Sequence, residues 1–209
     1  MRPGLSLPRR AARQRAARLP PAARRAQLLA CAIRVFARRG LSGAHHAEIA
    51  REAGVSVSAT FVYFPSRAAL VSAVLDEVAR FYLAQAEAVH RRRDLLVPDL
   101  ILAHGTVFAE SITAQPDHAT VWLEWSTAFR SETWPGYVAF HDQVVALVKR
   151  TLRRGQREGS IHPRVVPLDA ARLIVAAAHM VAHLIFAGAP RTSVLRFMRS
   201  LIRSLTTER

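Results

Sequence analysis

Apolar residues recur at helical spacing along nearly the whole chain. Leu28, Ala32 and Phe36 follow one another at i, i+4 and i+8, with Leu29 and Ile33 beside them, and Gly40 stands where a helix-ending glycine is expected. A second, shorter helix is expected over 46–53, stopped by Gly54, and a third over 58–64, stopped by Pro65. Ser66 then occupies the N-cap place of a long helix carrying Leu70, Val71, Val74, Leu75, Val78, Phe81 and Tyr82. Further on, Pro98, Pro116, Pro135, Pro163, Pro167 and Pro190 divide the sequence into helices joined by short connections. Pro167 and Pro190 suit the first turns of helices over 168–187 and 191–206. No stretch alternates with period two for long enough to argue for a strand, and no segment repeats. The expected fold class is all-α.

The same pattern suggests three parts: a flexible Arg-rich arm over 1–21, a head over 22–82 and a helical body over 83–209. The arm has no apolar run long enough for a signal peptide. The strongest apolar run, 173–187, is shorter than the ~20 residues that cross a bilayer and contains His179 and His183. It reads as a buried helix rather than a membrane span, so no membrane partner is expected and the location reads as cytoplasmic.

Composition sharpens the division. Of 209 residues 51% are hydrophobic, enough for a sizeable core, and the net charge is +15. The first 67 residues hold 13 arginines against Glu48 and Glu52, whereas the remainder holds 17 basic and 13 acidic residues. A polyanion is the partner such a field suggests, and it would meet the first third of the chain. The single cysteine, Cys31, excludes an intramolecular disulfide, and its apolar helix face favours buried packing over a reactive role.

Residues 45–64, HHAEIAREAGVSVSATFVYF, have the form of a helix-turn-helix. Ile49, Ala50 and Ala53 supply a packed face, Gly54 permits the positive φ of a tight inter-helix turn, and Val55 and Val57 pin that turn. In the next helix Phe61 and Phe64 are expected to face inward. Ser58, Ala59, Thr60, Val62 and Tyr63 are left facing solvent. A helix of this kind places its N-terminal residues on base edges in the major groove while neighbouring hydroxyls and amides hold phosphates. Spacing alone leaves open an ordinary helical hairpin within a core.

Nothing in the sequence favours catalysis or a metal. His179 and His183 share a helical face, but no HExxH glutamate accompanies them, and His45 and His46 read as a helix cap near phosphate. There is no phosphate-cradling glycine loop and no nucleophile elbow, so an enzyme is not expected and no cofactor is implied.

The stretch from Arg24 to Leu75, with FARRG at 36–40 and AEIAREAGVSVSATFVYFPSRAAL at 47–70, resembles the DNA-binding domain of the TetR family. VSVSATFVYFPSRAALV at 55–71, VWLEWSTAFRSETWP at 121–135 and RLPPAARRAQL at 18–28 narrow the resemblance to the HapR/LuxR/SmcR-type quorum-sensing regulators. The resemblance is weak after about residue 150. It implies a three-helix helix-turn-helix domain followed by a helical domain for ligand binding and dimerisation. It further implies a homodimer on a palindromic double-stranded DNA operator, an unidentified small-molecule effector and a role in transcription as a repressor or activator.

Carried over residue by residue, the resemblance implies DNA contacts from Val57, Ser58, Ala59, Thr60, Val62 and Tyr63, with His45 and His46 nearby and Arg67 on a phosphate. Arg18 matches an arm residue that enters the minor groove, and Arg13 and Arg15 extend that arm, as do Arg9 and Arg10. Val62 stands where the subgroup has an asparagine, which exchanges a hydrogen bond to a base for an apolar contact. A ligand pocket is implied at Phe81, Trp122, Tyr137 and His141, the last replacing an asparagine. Trp125 lies within the same aromatic cluster, with Phe129, Trp134, Phe140, Tyr82 and Phe108 as further members. Two apolar helices suit a dimer interface through Leu173, Ala177, Val181, Leu184, Leu195, Met198, Leu201 and Ile202. The alternative from another class is a ligand-binding helical protein whose basic surface meets RNA or an acidic membrane without sequence preference.

Overall fold

The structure is a computed structural model that describes residues 19–206. Every regular element in that range is an α-helix. Helix α1 (Pro21–Gly43) opens with proline in its first turn and buries Leu28, Ala32, Val35 and Phe36, with Cys31 on the same side. Gly40 (φ 78°) interrupts it where the sequence suggests a stop, and a short turn continues to Gly43. At that break Glu124 Oε1 accepts a hydrogen bond from the Leu41 N–H (2.8 Å). A Cβ added at residue 40 would meet the same carboxylate at 3.0 Å, so glycine is needed for both the dihedral and the close approach.

Helix α2 (His46–Ala53) stops at Gly54, whose φ of 67° turns the chain and lets the Val55 N–H return to the Ala50 carbonyl (2.9 Å). Helix α3 (Val57–Tyr63) begins and ends one residue earlier than its periodicity suggests. Ser56 sets its start by accepting from the Ala59 N–H (3.2 Å). Ser66 caps α4 (Arg67–His90) in the same way, accepting from the Ala69 N–H (3.1 Å). Residue 82, the expected edge of the head, stands inside α4, which runs on to His90 without interruption.

The body continues with α5 (Val97–Ala114), α6 (Pro116–Thr127), α7 (Trp134–Arg157), α8 (Pro167–Phe186) and α9 (Arg191–Arg203). Helix α6 lies against α1, α8 runs along α7, and α5 is enclosed by α4, α8 and α9. One apolar core passes from Phe36, Ile49 and Phe64 through Leu70, Val74 and Val78 of α4 to Val97, Val148 and Leu152. Helix α8 departs from the fully buried reading. Its inner face (Ala170, Ala171, Val181, Ala182) is buried, whereas Leu173, Met180 and Phe186 are exposed. By length and composition it is apolar enough to cross a membrane, and here it packs by one side on the body.

Candidate nucleic-acid interface and body cavity

Helix α3 is held from beneath by α2. The buried His46 ring places Nε2 2.8 Å from the Phe64 carbonyl oxygen, and Phe61 stacks on the same ring with centroids 4.0 Å apart. Phe64 is buried as its position suggests. Phe61 is not: it remains 45% exposed, covered on one face by the imidazole. His46 therefore serves the packing of α2 on α3 instead of reaching outward. Thr60 also departs from the expected set. It is 0% exposed and its hydroxyl donates to the Val57 carbonyl (2.7 Å), so it presents no group to a partner.

What α3 does present is Val57, Ser58 and above all Val62, which is 79% exposed. Val57 is thus a surface residue and not a pin of the turn. Ala59 and Tyr63 are half-buried at the margin, and His45 is exposed at the start of α2 without making a side-chain cap. The Arg67 guanidinium is committed to the end of α1, donating to the carbonyls of Leu41 and Ser42 (2.9 Å to the latter). It fixes the approach of α4 to α1 while remaining exposed. Arg13, Arg15 and Arg18 lie outside the described residues.

The head also spends much of its positive charge on itself. Arg34 (2.5 Å) and Arg38 both bind Glu52, and Arg39 (2.9 Å) and Arg51 (3.5 Å) both approach Glu48. Burial alone would raise the Glu52 carboxyl, yet the two guanidiniums hold it below the usual carboxylate range. Arg25 lies over the Phe64 ring at 5.5 Å. Arg34, Arg38 and Arg39 thus tie α1 to α2 while Arg51 pairs within α2, and four arginines against two glutamates still leave a positive surplus for a polyanion.

The body holds a partly open cavity of about 100 Å³ between α4, α5, α6, α7, α8 and α9. Trp122, Tyr137 and His141 line it, together with Tyr82 and Phe108. Phe81 and Trp125 do not. Phe81 turns to His118, with ring centroids 4.6 Å apart. Trp125 is buried behind the wall, donating its indole N–H to the Thr133 carbonyl (3.0 Å) and stacking on Phe140. His179 packs on Trp122 in a tilted arrangement with centroids 4.5 Å apart, whereas His183 is exposed. Four residues assigned to an interface, Ala177, Val181, Met198 and Ile202, line the cavity, as does the half-buried Leu201. They face this chain's own interior, Ala177 and Val181 because α8 packs on α5 and α7, Met198 and Ile202 because α9 packs on α5 and α8. Leu184 and Leu195 are half-buried, and Leu173 is exposed.

A polar chain that the sequence pattern does not reveal runs beside the cavity. His104, on its wall, places Nδ1 3.0 Å from His90 Nε2, and His90 Nδ1 lies 2.7 Å from the Thr151 hydroxyl. Burial pushes His104 down to about 4 and His90 down to about 3, the second helped by His104, Arg154 and Arg150. Both imidazoles are neutral. The i, i+3, i+4 spacing of Tyr82, Gln85 and Ala86 was the available sign that a polar residue shares the inward face of α4. No group of three or more His, Cys, Asp or Glu side chains able to hold a metal occurs among the described residues.

A helix-turn-helix head mounted through a long helix on an all-α body with an apolar cavity defines the tetR class of regulator. Residues 28–74 match the family described as bacterial regulatory proteins, tetR family. Over 175 residues the chain is 32% identical to the HTH-type transcriptional regulator LuxR of Vibrio harveyi, covering 84% of this chain and 83% of that one. The chain therefore belongs to the TetR family of DNA-binding transcriptional regulators and is not an enzyme. Two solved structures share the fold at low identity. A TetR-family regulator from Agrobacterium tumefaciens has a TM-score of 0.79 at 16% identity, over 90% of this chain and 100% of that one. The fatty acid degradation regulator FadR of Bacillus halodurans has a TM-score of 0.74 at 17% identity, over 88% and 96%.

Proposed function

We propose that this regulator acts as a homodimer that reads a palindromic operator with α3 from each protomer, and that a small molecule in the body cavity sets its affinity for DNA. The observation that carries the reading is the division of α3 into an anchored side and a free one. Thr60 and the neighbouring Phe64 are buried, whereas Val57, Ser58 and Val62 are exposed. Tyr63 and the Arg-rich arm add backbone and minor-groove contacts. With Val62 in place of an asparagine, the outer position favours apolar contact, as with a thymine methyl group.

Dimerisation is supported by α8. Leu173, Ala176, Met180, His183 and Ala187 are exposed at spacings of three and four, a stripe suited to a partner helix. Helix α9 contributes less than its apolar content suggests, because its outward positions include Arg196, Arg199 and Arg203. A cytoplasmic location goes with a DNA target, and the link to quorum sensing follows the resemblance at 55–71 and 121–135.

Selection of bound duplex fragments from a random pool tests the reading. One enriched palindrome whose half-site centres lie about 34–36 Å apart is expected. Binding that tracks only duplex concentration and salt, without a consensus, would refute it in favour of a non-specific basic surface. Met180→Glu should leave the helical content intact and shift sedimentation to a monomer.

A further inference from the structure

The cavity wall is almost wholly carbon, and none of its lining side chains is Asp, Glu, Lys or Arg. Of its two histidines, His104 is joined from behind by His90, and burial keeps that pair uncharged, whereas His141 lies 3.5 Å from the Asp142 carboxylate. A charged guest would therefore find no carboxylate, ammonium or guanidinium in the wall itself, which disfavours it in so apolar a site. The volume, about 100 Å³, sets the scale of the guest. An engineered apolar cavity of roughly 150 Å³ admits benzene, so a guest of about single-ring size is the expected scale, and the open side of the cavity leaves room for the part that does not fit.

Two polar atoms on the wall have no partner. Tyr82 and Gln85 stand at i and i+3 on α4 and both line the cavity; the Tyr82 hydroxyl and the Gln85 Oε1 are buried and make no hydrogen bond among the described residues. The Ser111 hydroxyl near Tyr82 donates to the Phe108 carbonyl oxygen (2.7 Å), so it has no proton left for the phenol oxygen and could only accept from it. Burial holds the Tyr82 phenol protonated. Buried polar atoms in native proteins are nearly always paired, and a neighbouring pair left open on a cavity wall marks the place of a missing partner. A phenol and an amide side by side can each donate and accept, which matches a hydroxyl group.

We propose that the cavity binds an uncharged, mostly apolar molecule of single-ring size whose hydroxyl group is held by Tyr82 and Gln85. It rests on the reading of the cavity as the effector site and names the chemistry of the effector. Both contacts are made on α4, so the guest's polar group addresses the helix that Ser66 caps next to α3.

Calorimetric titration of the full chain at pH 7 with phenol, toluene and benzoate tests this. Phenol is expected to bind at least tenfold more tightly than toluene, and benzoate not to compete with it. Gln85→Leu and Tyr82→Phe should each erase most of phenol's advantage while toluene binding persists, which also shows that the variants are folded. Equal binding of phenol and toluene to the unaltered chain, binding of benzoate as tight as that of phenol, or no binding of either neutral probe would overturn the proposal. Affinity for a selected operator is measured with and without phenol. Discrimination dependent on Gln85 with unchanged DNA affinity upholds the ligand class and refutes the sensing role. A change in DNA affinity by probes that bind without discrimination does the reverse.

Discussion

Head and body are built from the same kind of helix but finished differently. In the head, Leu28, Phe36, Ile49 and Phe64 are packed without exposure, and the polar His46 and Thr60 are satisfied by main-chain carbonyls. Four of the arginines are matched to two glutamates across α1 and α2. In the body, aromatic rings surround unfilled space, and the Tyr82 hydroxyl and Gln85 Oε1 make no hydrogen bond among the described residues. A fully packed interior has one arrangement, whereas an interior with a void and open hydrogen-bonding groups leaves room for a second. On the proposed reading, the rigid part is the one that meets DNA and the adaptable part is the one that holds the effector.

The contrast can be broken most forcefully in the two cores. Phe36→Ala should lower unfolding free energy by about 3–5 kcal/mol, measured by urea denaturation. Phe140→Ala, on the cavity wall, should fall toward the low end of that range, because fewer neighbours lose contact. Equal losses would mean that the body is packed as tightly as the head.

Acid should weaken the body before it weakens the head. His90 and His104 have folded pKa values pushed below their ordinary value, to about 3 and about 4. The unfolded chain then binds more protons than the native one as pH falls below about 6.5. Their contribution is fully present above that pH and is lost progressively toward pH 4. His104→Gln should reduce the slope of urea midpoint against pH in this window, and an unchanged slope would remove His104 from the account.

Smaller effects probe the joint and the surface. Glu124→Ala leaves the Leu41 N–H without its acceptor and should cost about 1–2 kcal/mol by the same denaturation measurement. Val62→Asn, at an exposed position, should alter stability by less than about 0.5 kcal/mol. It should nevertheless change the bases preferred in a fragment selection.

The contrast also explains which features were legible in the chain. Gly54, Ser66, Pro167 and the buried Cys31 act locally, through a dihedral, a cap or a helix face, so neighbouring residues suffice to read them. Thr60 and His46 were misread because a short helix brings polar residues onto both of its sides, and only the path of the next segment decides which side is covered. Phe61 and Phe64 share a stripe at i, i+3, yet Phe64 enters the core and Phe61 ends against an imidazole. Met198 and Ile202 look like interface residues on an amphipathic helix. Periodicity identifies the apolar face of α9 but not whether α5 or a second protomer will meet it. Gln85, His104 and Glu124 were invisible for the same reason: their partners or open faces arise from helices distant in sequence.

The Glu124–Leu41 bond gives the head a mechanical character that its sequence position conceals. The head is continuous with the body through α4, and it is also fastened at Gly40 by a carboxylate from α6. A load hung from one pivot swings freely, whereas one braced along a second beam does not, and α6 lies against α1 as such a beam. On the proposed reading, displacement at the cavity reaches α3 through α4 and α6 together and not through a single flexible joint.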